Sequence, residues 1–279
     1  MTTVDVLMIT YRRPEYTRLA LDRLLASATE DTRIWLWHNG DDEATLAEVE
    51  PASGDSRVAK FHHSRENVRL REPTNWLWAN SDAAYVSKVD DDCLVDEEWI
   101  PRLLAAHEAN PSFGVVGSWR FPDEDFVPSL ANRKIKEFAG GHRLLQNFWV
   151  QGSGYLMKRE CIERHGLLGV DQSFPDYCIA LALAGYVNGW VYPFIREEHM
   201  DDPRCPHTLL RSDEDLQRLM PLSAERNGVT DLAAWTAQMR RSAIAVQRAS
   251  IDPSSYRGWR LQVSRARRRL RRLTTGRQW

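Results

Sequence analysis

The chain has 279 residues, 43% of them hydrophobic, and its 37 basic and 39 acidic side chains leave a net charge of −2. That length and apolar content support a sizeable core in one large domain or two coupled halves, which excludes a disordered chain. The near-neutral, slightly acidic balance argues against nucleic acid as a partner, and no apolar run approaches the roughly 18 residues of a membrane span.

Val4–Ile9 reads as a first strand; it opens without a basic leader, which points to a cytosolic protein. Pro14–Ser27 has helical period, with Tyr16, Leu19, Ala20, Leu24 and Leu25 inward, and Ile34–Trp37 is the next strand. Val58–His62 is a short strand, Thr74–Asp82 a Trp-rich helix, and Ala84–Val89 a strand that runs into Asp90-Asp91-Asp92. A helix over Glu97–Ala109 and a strand over Phe113–Ser118 follow. Arg120–Gln146 shows little period and is expected to be a long loop or insertion, the kind of segment that often carries function. Trp149–Met157 resumes as a strand, Pro175–Ala184 as a helix and Tyr186–Tyr192 as a strand. This alternation implies an α/β fold with a mainly parallel twisted sheet flanked by helices, and ligands beyond the carboxyl ends of its strands. Cys93, Cys161, Cys178 and Cys205 have no CxxC spacing and are expected to be reduced.

Charge is concentrated at the end, where residues 251–279 hold nine arginines and one aspartate. Trp259, Val263, Ala266, Leu270 and Leu273 recur at helical spacing there, so 256–273 is expected to form an amphipathic helix. Such a helix can lie on an anionic membrane, dock an acidic protein or cover the chain's own acidic body.

The triple aspartate is the most informative cluster. Carboxylates packed this closely raise one another's pKa unless a cation neutralises them, and hard oxygen ligands favour Mg²⁺ or Mn²⁺. An ion held at a strand end can grip a diphosphate. Arg71 adds a fixed positive charge for the same purpose, and Trp76, Trp78, Trp119, Phe148, Trp149 and Tyr155 are candidate stacking faces, most of them expected in the core. Neither a GxGxxG nor a Walker sequence is present, and no nucleophile elbow supports Ser/His/Asp catalysis.

Several motifs in this order resemble glycosyltransferase family 2 with its GT-A fold. Val6-Leu7-Met8-Ile9-Thr10-Tyr11-Arg12-Arg13-Pro14 is similar to the family's first strand and Thr-Tyr-x-Arg turn, and His38-Asn39-Gly40-Asp41-Asp42 to its acidic element after the second strand. Asn67 and Asn75 match its two asparagine positions, Asp90-Asp91-Asp92 its DxD motif, Gly152–Arg159 the segment before the catalytic helix, and Phe174-Pro175-Asp176-Tyr177 with Ala184-Gly185-Tyr186 its Glu-Asp…Gly-Tyr region. The resemblance covers about residues 4–200. Departures are Arg69 for the usual Gly, Thr74 for Arg, Pro175 for Glu, and Asn39 where an acid is common.

The resemblance implies a catalytic domain over 1–200, with a nucleotide-binding half at 1–95 and an acceptor half at 96–200, and a helical C-terminal extension over 201–279. It implies an inverting transfer from a nucleotide-sugar donor, UDP favoured with dTDP or GDP open, to a hydroxyl or amine. Thr10, Tyr11, Arg13, Asn39, Asn67, Arg71, Asn75, Asp90 and Asp91 are expected around the nucleotide. Asp92 and the late His199 are expected on Mn²⁺ or Mg²⁺. Asp176, with Asp171 in reserve, is expected to act as the general base. Acceptor classes left open are a natural-product aglycone, a small molecule on a carrier protein and a lipid-linked glycan. The alternatives are a catalytically silent sugar-nucleotide binding module, which intact Asp91, Asp92 and Asp176 oppose, and a sugar nucleotidyltransferase, which would need a Gly-rich basic loop where Thr10-Tyr11-Arg12-Arg13-Pro14 stands.

Overall fold

The structure is a computed structural model that describes residues 3–257, so the expected arginine-rich stripe from Trp259 to Leu273 lies outside the described residues. In chain order the elements are β1 (Val4–Thr10), α1 (Pro14–Ser27), β2 (Thr32–Asn39), α2 (Glu43–Val49), β3 (Val58–Ser64), α3 (Arg71–Asn80), β4 (Tyr85–Asp90), β5 (Cys93–Val95), α4 (Trp99–Ala109) and β6 (Phe113–Gly117). They continue with α5 (Pro128–Ala131), β7 (Ile135–Glu137), β8 (Arg143–Asn147), β9 (Tyr155–Lys158), α6 (Arg159–His165), α7 (Phe174–Leu183), β10 (Val187–Tyr192), β11 (Glu197–His199), α8 (Asp213–Leu219), α9 (Leu222–Arg226) and α10 (Leu232–Arg248).

Nine strands form one sheet in the order β3-β2-β1-β4-β9-β6-β10-β8-β7. The pairings make it mostly parallel, with β9 and β8 running against the rest. Every residue of β1 is buried because helices cover both faces of the sheet. Its side chains alternate accordingly: Val4, Val6 and Met8 join Tyr16, Leu24 and Leu103 on one face, while Leu7 and Ile9 join Leu77, Trp78 and Tyr177 on the other. The register sets Thr10 beside His38 and Ile9 beside Asp90, so the carboxyl ends of β1, β2 and β4 lie along one edge.

The expected loop over Arg120–Gln146 is instead structured. It contains α5 and the strands β7 and β8, which extend the sheet, with Leu144 and Leu145 fully buried. Strands of three and five residues are too short for periodicity to register among so many polar side chains. The expected strand over Trp149–Met157 is confined to Tyr155–Lys158, because Gly152-Ser153-Gly154 turns the chain before it. Gly154 has φ +60° and passes so close to Glu197 that a Cβ would stand 2.5 Å from its Oε2. Trp78, Trp119, Phe148 and Tyr155 are core residues, whereas Trp76 and Trp149 are partly exposed. All four cysteines are buried and free.

Beyond β11, Leu210, Leu216, Ala224, Trp235 and Met239 form a small core of their own. Helix α10 is tied to the body: Gln247 accepts from Val127 N (2.7 Å) and donates to the Asp125 carbonyl (2.8 Å), and Lys134 Nζ reaches the Val246 carbonyl (2.9 Å). No helix of the described residues is long and apolar enough to cross a membrane.

Candidate active site at the acidic strand end

The three aspartates leave β4 in different directions. Asp90 pairs with Lys88, which is itself buried in the strand, and its backbone N–H donates to Ser153 Oγ (3.0 Å). Asp91 turns toward the β1–α1 connection and accepts from Tyr11 N–H at 2.9 Å. Burial, with the charge of Asp92 beside it, pushes the Asp91 carboxyl up to about 7. Asp92 faces Arg13, whose Nη1 lies 3.3 Å from Asp92 Oδ2 and 2.9 Å from Asp201 Oδ2.

Strand β11 brings His199 into this cluster by pairing with β5, which sets His199 opposite Cys93; the Met200 N–H bond to the Asp92 carbonyl (2.8 Å) closes the corner. His199 Nε2 stands 3.8 Å from Asp92 Oδ2, and the donor atoms of Asp92, Cys93 and His199 all lie within 4.8 Å of one another. Burial and the neighbouring Arg120 push His199 down to about 4, so at neutral pH it is an uncharged imidazole with a lone pair to give. Burial works against a charge on Asp92, but the His199 and Arg13 side chains outweigh it and hold that carboxyl well below the usual range. The permanent charge of Arg13 carries this at neutral pH. A low-lying carboxylate beside a neutral imidazole is a donor set that fits a divalent ion.

The residues expected around the nucleotide divide into two groups. Thr10 and Tyr11 belong to the network above: Thr10 Oγ1 pairs with His38 Nδ1 (3.0 Å), and the Tyr11 ring lies against Gly40, where a Cβ would stand 3.2 Å from it. Asn39, Asn67, Arg71 and Asn75 make hydrogen bonds that hold loops. Asn39 is buried; its Oδ1 accepts from Trp37 Nε1 (3.0 Å) and Val68 N–H (3.3 Å), and its Nδ2 donates to the Arg69 carbonyl (3.0 Å). Asn67 Oδ1 accepts from Arg69 N–H at 2.9 Å. Asn75 makes a two-way pair with the backbone of Leu168 (2.9 and 3.0 Å), and Arg71 donates to the Val170 carbonyl. Arg71 and Asn75 also line a groove of about 560 Å³ with Trp37, His62, Glu72 and Trp76.

Arg69 has φ +65°, the left-handed region in which a glycine is at ease. Arg69→Gly removes a cost of about 1–2 kcal/mol and adds roughly 0.5–1 kcal/mol of unfolded-chain entropy. The melting temperature should rise slightly in a thermal denaturation scan; a fall would mean that the arginine side chain holds the loop.

Asp176 sits in the first turn of α7. Ser173 Oγ donates to its Oδ2 (2.6 Å) while Asp176 N–H donates back to Ser173 Oγ (3.2 Å), a capping box. The same turn presents Phe174, which stacks on Tyr155 with ring centres 4.3 Å apart; a Cβ at Gly152 would stand 3.9 Å from both Phe174 and Lys88. Gly152 therefore lies between the start of α7 and Lys88, the partner of Asp90. Asp171 is exposed in the connection before α7. Sequence reasoning missed Lys88, Ser153, Glu197 and Asp201. Glu197 is buried, accepts from Ser153 Oγ, leaves Oε2 without a partner, and is pushed by burial up to about 7. Lys88 had a legible signal, a lysine inside an apolar strand, whereas Asp201 lies in the polar run Arg196–Arg204 with no period to single it out.

The profile of glycosyl transferase family 2 matches residues 5–166, more than half of the chain. Among solved structures, the fold resembles a mannosyltransferase, PcManGT from Pyrobaculum calidifontis, in complex with GDP-Man and Mn²⁺. The TM-score is 0.58 at 16% identity, over 96% of this chain and 80% of that one. It also resembles S. aureus TarS 1–349 in complex with UDP (TM-score 0.56, 12% identity, 91% of this chain and 68% of that one) and with UDP-GlcNAc (TM-score 0.55, 13% identity, 91% and 75%). No curated protein matches the chain by sequence.

Proposed function

The chain belongs to glycosyl transferase family 2, with the GT-A fold, and on that premise we propose that it moves a sugar from a nucleotide diphosphate to a hydroxyl or amine acceptor. The observation that carries this reading is the convergence of Asp92, neutral His199 and Arg13 at the carboxyl edge of the sheet. Asp92 and His199 would hold Mn²⁺ or Mg²⁺, which as a Lewis acid stabilises the charge that grows on the departing diphosphate.

The chain's own residues do the rest. Asp91 fixes the Tyr11 backbone and with it the β1–α1 turn, where Thr10, Tyr11 and Arg13 meet the nucleotide. Asp90, paired with Lys88, faces the ribose side. Asn39 and Asn67 act by holding the Val68–Arg69 turn, and Asn75 and Arg71 by holding the connection that leads into α7. Residues 1–95 thus serve the nucleotide and 96–200 the acceptor. Asp176 takes the proton of the acceptor as its oxygen or nitrogen bonds to C1 and the bond from C1 to the diphosphate oxygen breaks. With one base and no second nucleophile, the displacement is single and the anomer inverts. The favoured donor is a UDP-sugar, supported by the likeness to a fold solved with UDP and UDP-GlcNAc; the likeness to a GDP-Man complex keeps guanine as the second choice. The arginine-rich tail would bring the protein to its acceptor, on a membrane surface or an acidic carrier.

A panel of nucleotide sugars with Mn²⁺ tests the reading, because a ligand of the native state raises its melting temperature by mass action. A UDP-sugar should raise it and be turned over slowly to free UDP. Binding without release would mark a silent binding module, and no shift with any nucleotide sugar would sink the proposal.

A further inference from the structure

The turn after β11 supplies a second acid to the cluster, and neither its sequence nor the family motifs single it out. Asp201 is 4% exposed. Its Oδ2 takes the Arg13 guanidinium at 2.9 Å, its backbone carbonyl accepts from Trp235 Nε1 at 2.7 Å, and its Oδ1 is buried without a hydrogen-bond partner. A buried carboxylate oxygen left unpartnered is costly and calls for an account. Arg13 does not provide one. A single nitrogen of that guanidinium is shared between Asp201 and Asp92, and Asp91 lies against the same charge, while Asp90 already has Lys88. Three carboxyl groups, Asp91, Asp92 and Asp201, thus crowd one guanidinium whose single nitrogen serves two of them.

We propose that Asp201 is a direct ligand of the ion, completing a set of Asp92, His199 and Asp201. The inference rests on the reading that Asp92 and His199 hold that ion. His199 and Asp201 project from one tight turn, closed by the Asp202 N–H bond to the His199 carbonyl (2.9 Å), and Asp92 faces them from the end of β4. Two carboxyl oxygens with one imidazole nitrogen make a donor set that accepts Mn²⁺. Arg13 Nη1 sits between the two carboxylates as the resident cation, and the ion competes with it for them.

The test uses the full chain and Mn²⁺ alone, with free Mn²⁺ read by electron paramagnetic resonance and heats by calorimetry. Asp201→Asn should weaken Mn²⁺ binding by about tenfold or more, alongside Asp92→Asn as reference. Asp201→Cys separates ligation from mere support, since a thiolate on the ion moves the preference toward Cd²⁺. It should bind Cd²⁺ more tightly than the wild type, which already holds Cys93, and add sulfur-to-cadmium charge-transfer absorption. If Asp201→Asn binds Mn²⁺ as the wild type does while Asp92→Asn does not, the inference falls and the metal reading stands. If neither variant changes binding, both fall. Weakened Mn²⁺ binding without a cadmium gain in the cysteine variant reduces Asp201 to an anchor for Arg13. Should the asparagine variant fail to fold, the cadmium measurement on Asp201→Cys decides alone.

Discussion

Asp92→Ala should lower donor turnover at least about a hundredfold, the scale of transition-state charge stabilisation lost when a preorganised electrostatic group is removed. The wild-type rate should vanish equally with a chelator and return with Mn²⁺ or Mg²⁺. The size of the effect follows from the position: Asp92 is the acid nearest His199 (3.8 Å) and shares Arg13 with Asp201. The fold should survive, because Arg13 keeps its shorter bond to Asp201 (2.9 Å), and unchanged far-ultraviolet circular dichroism would check that. Full turnover in chelator would show that the acidic turn is structural.

Asp176→Asn should leave donor affinity intact and cut transfer by roughly 10² or more, since the amide keeps the volume but cannot take the proton. The capping box complicates this, because Asp176 also accepts at the helix start (3.3 Å from Ser173 N). Ser173→Ala separates the two roles: it removes the cap, at a cost of about 1 kcal/mol of stability, and keeps the carboxylate. That variant should melt earlier yet transfer sugar at close to the wild-type rate. Equal loss of transfer in both variants would assign Asp176 to the helix and pass the proton to Asp171 or another acid.

The elements legible in the sequence were those whose pattern is long relative to its period. Val4–Thr10, Pro14–Ser27 and Tyr85–Asp90 could be read because apolar side chains recur over a whole strand or several helical turns. Strands β7 and β11, at three residues each, could not: Glu197-Glu198-His199 reads as a polar loop and is a strand because β5 offers its backbone partners. The acidic turn and His199 were recognisable by residue type. Asp201, Glu197 and Ser153 were not, since their significance lies in being buried beside charges far along the chain, as in the Arg13–Asp201 pair separated by 188 positions. Asn39 marks a different limit. Its type suits a base-reading amide, but the structure uses both lone pairs of its oxygen on Trp37 and Val68.

Strand β9 enters the sheet against the direction of β4 and β6 and joins the two halves through Tyr85↔Lys158 and Val86↔Met157 on one side and Val115↔Met157 on the other. Strands β1, β2 and β3 can pair across short connections as the chain leaves the ribosome, whereas β4 reaches back to β1 and β9 to β4 over roughly 70 to 80 residues each, an entropic cost that rises only slowly with length yet delays both events. Ser153, just before β9, holds the Asp90 backbone, and His199 and Asp201 come later still. A nascent chain can therefore assemble its first strands early while its acidic turn stays without its later partners, which arrive only with the last third of the described chain.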